Sequence, residues 1–94
     1  PVHMGLSERL NAEGPAGLRG RWYDTRYGYA HAEYGVVAFY CVPTPEGFTF
    51  ELADGDMEPY AGEGATLREA WAALATEFWS SWGGAVDVFM RGMP

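Results

Sequence analysis

Thr66-Leu67-Arg68-Glu69 has the form of a capping box, in which Thr66 accepts from the backbone N–H at Glu69 and the Glu69 side chain reaches back toward the start of the helix. Beyond it Leu67, Ala70, Trp71, Leu74, Phe78 and Trp82 fall within one arc of a 3.6-residue helix, and Gly83-Gly84 stops the run. A helix from Leu67 to about Trp82 is therefore the firmest expectation, and its apolar face needs a second layer to bury it. The chain has 94 residues, which suit one core and no second one, so that layer must come from the rest of the same domain.

The rest reads as sheet. Arg21 to Ala32 is crowded with Trp22, Tyr23, Tyr27 and Tyr29, and Val36 to Val42 is a continuous apolar run between Gly35 and Pro43, so the two are expected to pair as a hairpin turning over Ala32 to Gly35. Because both faces of Val36 to Val42 are apolar, it reads as a central strand, covered by the helix on one side and by aromatics or a partner on the other. Pro43-Thr44-Pro45-Glu46-Gly47 is a turn by composition, and Phe48 to Leu52 alternates apolar with polar. Asp54-Gly55-Asp56 is a further turn before a short edge strand over Met57 to Ala61, and Ala85 to Arg91 reads as a last strand. Ser7 is placed to cap a short helix of about Glu8 to Glu13. The expected class is α+β: an antiparallel sheet of four to five strands packed by one main C-terminal helix, with a short N-terminal helix, in the order α-β-β-β-(β)-α-β. One domain is expected over residues 4–94, with Pro1-Val2-His3 reading as a vector remnant before Met4.

Charge narrows the partners. Thirteen acids stand against six arginines, with no lysine, for a net charge of −7. Neutralising phosphates requires cations, so nucleic acid is disfavoured and a basic protein partner is favoured. No apolar run approaches the ~18 residues of a membrane span. Cys41 is alone and can form no internal disulfide, in keeping with a reducing, cytoplasmic setting. An aromatic share of 16% supplies the bulk that a short chain needs for a core without such staples.

Between Glu46 and Glu69 stand seven acids against Arg68 alone. Counted from Asp54 as a calcium loop, the glycine required at position six is Pro59 and the acid required at twelve is Ala65, so that motif fails and no metal or cofactor is assigned. The sharper expectation is an acidic partner-binding face of Glu51, Asp54, Asp56 and Glu58, joined by Trp79 at the margin of the helix arc. The alternative is a small-ligand site or minor enzyme built on Trp22, Tyr27, Tyr29, His31 and Tyr34. Arg19, Arg21 and Arg26 among those aromatics have the mix that stacks bases, though three cations are few. His31 and Cys41 would make a Cys-His pair if their strands were neighbours. Cys41 nevertheless sits inside an apolar strand, where a thiol acts as a small buried hydrophobe, and no catalytic residue is assigned. Exposed aromatics are also compatible with a homo-oligomer.

From Tyr34 to Phe78 the succession of an apolar strand, a turn, Gly47-Phe48-Thr49-Phe50-Glu51-Leu52, a turn with Asp54, Gly62-Glu63 and then Ala65-Thr66-Leu67-Arg68-Glu69-Ala70 resembles the HicB-type antitoxin domain. In this chain the turn reads Ala53-Asp54-Gly55 without that family's proline, and the N-terminal hairpin is additional. The resemblance implies an acidic domain that binds a small basic RNA-cleaving toxin and blocks its active site; the expected function is a non-enzymatic module, an antitoxin, immunity-like or phage-type inhibitor, that masks a basic partner. The order of a helix, three strands and a helix is also similar to the double-stranded RNA-binding domain. There the second helix begins with lysines aimed at phosphates, whereas here it begins Leu67-Arg68-Glu69 below an acidic turn, which argues against RNA.

Overall fold

The computed structural model describes residues 5–54 and 60–82, the side chains of Asp54 and of residues 78–82 excepted. In chain order the elements are α1 (Leu6–Glu13), a single 3-10 turn (Ala16–Leu18), β1 (Tyr23–Asp24), β2 (Ala30–Tyr34), β3 (Val37–Thr44), β4 (Gly47–Asp54), β5 (Tyr60–Gly64) and α2 (Leu67–Trp82). The strands form one antiparallel meander in the order β1-β2-β3-β4-β5, so the α+β class holds and β3 is indeed central. The expected strand over Ala85 to Arg91 and the reading of Pro1 to His3 lie outside the described residues. No described helix is long and apolar enough to cross a membrane.

Several boundaries differ from expectation. Arg21 to Ala32 does not form one strand: β1 and β2 are separated by residues 25–29 and pair with each other, and Pro43 and Thr44 still pair in β3, which shortens the next turn to Pro45-Glu46. The first hairpin turns at Gly35-Val36, not over Ala32 to Gly35, because Tyr34 still pairs with Val37. Gly35 has φ of 61°, which suits the first central position of a two-residue turn whose twist matches the strands, and Val36 at the tip is 82% exposed. The edge strand is described from Tyr60 to Gly64, registered from Leu52↔Tyr60 to Phe48↔Gly64, where Met57 to Ala61 was expected.

Alternation along the pleat divides the residues between two faces. Ala30, Ala32, Phe39, Cys41, Phe50 and Leu52 point inward and are buried together with Leu10, Leu18, Trp22, Leu67, Ala70, Trp71 and Leu74. Trp71 meets Phe50 edge-on at 5.2 Å between centroids and Phe39 at 5.8 Å, while Trp22 lies 6.0 Å from Phe50. Both helices thus cover the same face of the sheet, α2 over β4 and β5 and α1 toward β1 and β2.

Helix α2 begins as its sequence dictates: Glu69 N–H donates to Thr66 Oγ1 at 3.1 Å, and Ala65 N–H donates to Glu69 Oε2 at 3.1 Å. It can lie flat on β5 because that strand presents glycines. A Cβ on Gly62 would fall inside contact distance of Leu74 N, and one on Gly64 inside that of Ala70 N. The cap of α1 differs from the one expected. Gly5, not Ser7, is the N-cap residue, and Asp24 of β1 supplies the carboxylate, accepting from Ser7 N–H at 3.0 Å and from Ser7 Oγ at 2.8 Å. An acid at a helix start stabilises the unpaired amides there, and in this case it also ties α1 to the sheet edge. Asn11 completes the tie. Its Oδ1 accepts from Gly20 N–H and Trp22 N–H, and its Nδ2 donates to Trp22 O, each at 2.9 Å.

Gly62→Ala should destabilise the fold by about 1–3 kcal/mol, since α2 cannot keep its seat over an added methyl, and a urea melt would register the loss. Asp24→Ala should cost about 1 kcal/mol by the same measurement, with Asp24→Asn recovering much of it.

Candidate functional site

The register that buries one face builds the other. Tyr23, His31, Tyr40, Glu51 and Ala61 stand opposite one another in a single row across all five strands. Flanking rows hold Glu33, Ala38 and Ala53 on one side and Val42, Thr49 and Glu63 on the other. None of these outward strand positions carries an arginine, and Glu33, Glu51 and Glu63 carry carboxylates. No described element packs over this face.

Its aromatic centre is ordered by ring contacts. His31 stacks on Tyr40 at 4.7 Å between centroids with 28° between planes, and Tyr23 lies 5.1 Å away on the other side. Tyr23 Oη is 2.8 Å from His31 Nδ1, while His31 Nε2 has no hydrogen-bond partner among the described residues and lies 3.6 Å from Glu33 Oε1. Tyr29 meets Tyr40 edge-on at 5.8 Å, and Tyr27 stacks outside Tyr29 at 6.2 Å. Thr25 fixes the loop that delivers these two tyrosines, donating from Oγ1 to Tyr29 O at 2.8 Å. Next to the rings a groove of about 390 Å³ is lined by Tyr29, Tyr40, Val42, Glu51 and Ala53. A second depression, of about 310 Å³, lies at the β3–β4 turn among Thr44, Glu46, Phe48 and Glu63.

The residues expected to act together separate by face. Tyr27, Tyr29 and His31 belong to the outer aromatic cluster. Trp22 is only 4% exposed and packs in the core, and Tyr34 turns inward with Arg21 4.5 Å over its ring. Of the acids, Glu51 stands half-buried in the groove, and Asp54 closes β4 opposite Val37. Asp56 and Glu58, and the side chains of Asp54 and Trp79, lie outside the described residues. Sequence reasoning missed Tyr40, Val42, Glu33 and Glu63. The signal was available in the alternation of β3 and β4, but it needed the Gly35-Val36 turn to set which residue faces His31.

The same pleat settles the Cys-His question. Strands β2 and β3 are neighbours, yet His31 pairs with Tyr40 on the outer face while Cys41 pairs with Ala30 on the inner one. Burial pushes the Cys41 thiol up to about 12, with Arg9 pulling weakly the other way. Such a thiol is neither a base-activated nucleophile nor a ready metal ligand. Among the described residues no three His, Cys, Asp or Glu side chains gather to hold a metal ion. The arginines singled out as a nucleic-acid patch are also dispersed: Arg19 Nε donates to Gly14 O, Arg21 covers Tyr34 and Arg26 lies 5.3 Å from Tyr27.

In the native protein at pH 8, Cys41 should react with iodoacetamide at least about a hundredfold more slowly than in urea, because reaction must wait for the core to open. Raised in the fold, the thiol contributes stability that is fully present below its unfolded value of 9.0 and is lost as pH climbs toward about 12. In comparisons with known proteins, no family model, no curated protein and no solved structure matches this chain.

Proposed function

We propose that this chain is a non-enzymatic module that binds a basic protein through the outer face of its sheet, in the manner of an antitoxin, immunity protein or other inhibitor that masks its partner. The observation that carries this reading is the composition of that face: tyrosines and His31 at the centre, Glu33, Glu51 and Glu63 around them, and no arginine at the outward positions of the described strands. Aromatic rings supply contact area at low conformational cost, and carboxylates steer and select a cationic partner. The net charge of −7 acts in the same direction over longer range. The resemblance of residues 34–78 to the HicB-type antitoxin domain lends further support, since it implies a small basic toxin as the partner. The strands through Gly64 followed by a capped helix at Leu67 keep the order on which that resemblance rests.

A second reading, a small-ligand site, draws on the groove beside Tyr29 and Tyr40. Acid-base work would fall to His31, which does not line the groove but stacks on Tyr40 beside it. It would show as a pH-dependent activity that His31→Ala removes.

The test of the main reading is retention of a basic protein from the native host at low salt, followed by its binding curve. Affinity should fall roughly tenfold or more between about 0.05 and 0.5 M salt, and a triple Glu33→Gln, Glu51→Gln, Glu63→Gln variant should lose most of it. A partner that binds the triple variant as tightly as the parent protein would refute the reading.

A further inference from the structure

The outer face has one place shaped for a single side chain. In the groove, Tyr40 stands directly opposite Glu51 across the β3–β4 pair, Tyr29 closes one side with its ring at 72° to that of Tyr40, and Val42 and Ala53 supply apolar walls. Directly opposed residues in an antiparallel pair hold their Cβ atoms about 4.5–5.5 Å apart, so the Tyr40 ring and the Glu51 carboxylate address the same space. Glu51 is half-buried there, and no described residue gives it an ion pair or a hydrogen bond. Tyr40 is held from behind by His31, itself held by Tyr23, so its ring presents a fixed face to the groove.

A carboxylate beside a tyrosine face, with short apolar walls, is complementary to a planar cation on a methylene stem. We infer that this groove receives one arginine side chain of the partner, its guanidinium against Tyr40 and Glu51 and its stem along Val42. Arginine fits better than lysine for two reasons. Its guanidinium is less strongly hydrated and stacks on aromatic faces, and its forked donors match a carboxylate with two bonds where an ammonium offers a point charge. The stem gains from apolar walls that the charged head does not need. This inference rests on the proposed basic-partner function and names the anchor within it.

The experiment is an NMR titration of the full chain with the capped peptide Gly-Gly-Arg-Gly-Gly, and with lysine and norleucine in the central place. The arginine peptide should give saturable shifts at Tyr29, Tyr40, Val42, Glu51 and Ala53, with lysine weaker and norleucine silent. Glu51→Gln and Tyr40→Leu should each weaken the arginine peptide by roughly fivefold or more, while the amide spectrum elsewhere stays in place as proof of folding. Equal response to arginine and norleucine, or arginine shifts that avoid the groove, would overturn the inference. So would a protein that sediments as a dimer at the titration concentration with these same residues covered. If a basic protein still binds in a salt-dependent way while arginine shifts avoid the groove, the anchor fails and the basic-partner reading survives. If neither binds, both fail.

Discussion

Trp71 is the contact on which the layers depend. It projects from α2 onto the inner face of the sheet, meets Phe39 of β3 and Phe50 of β4 together, and Phe50 in turn meets Trp22 at the α1 side. One connected set of rings therefore joins the helix, the two central strands and the N-terminal segment. The indole Nε1 is buried without a hydrogen bond among the described residues, a cost set against the large area that the ring removes from water. Tryptophan gains its seat because Gly62 and Gly64 let the helix backbone descend onto β5. Side chains there would lift α2 and open a gap beneath the indole.

That one-sided burial decides what the other side can be. Apart from Asp24, which caps α1, the described inward side chains are apolar or aromatic, or glycine close to the helices, so groups able to meet a partner are left to the outer face. The pleat sorts them without regard to sequence proximity. His31 and Cys41 sit on adjacent strands and still face opposite ways, which removes the most reactive combination in the chain. In its place the pleat lines up Tyr23, His31, Tyr40 and Glu51, residues spread over 29 positions of the sequence, as neighbours in one row.

Much of the scaffold was legible beforehand. The box at Thr66 and Glu69 declares α2, and the apolar run from Val36 declares a central strand, because each rests on a local rule that tertiary packing reinforces. The cap of α1 was not legible. Ser7 has the right chemistry, but Asp24, seventeen residues away, occupies the site, and such a tertiary cap leaves no local pattern. The candidate site was read in part. Tyr27, Tyr29, His31 and Glu51 are visible as residue types, but which of them share a face depends on a turn whose position shifts the pairing of every residue in β2. Tyr34 and Trp22 look like their aromatic neighbours in composition and differ from them only in the side of the sheet they occupy.

The meander has one more consequence, and it concerns how the chain reaches this state. Every described strand pairs only with the described strand before or after it, and two-residue turns join β2 to β3 and β3 to β4. Closing such short loops costs little chain entropy, and topologies dominated by near-neighbour pairings cross their folding barrier quickly. The pairing of β3 with β4 is the longest of these ladders, and its loop of two residues is among the cheapest to close.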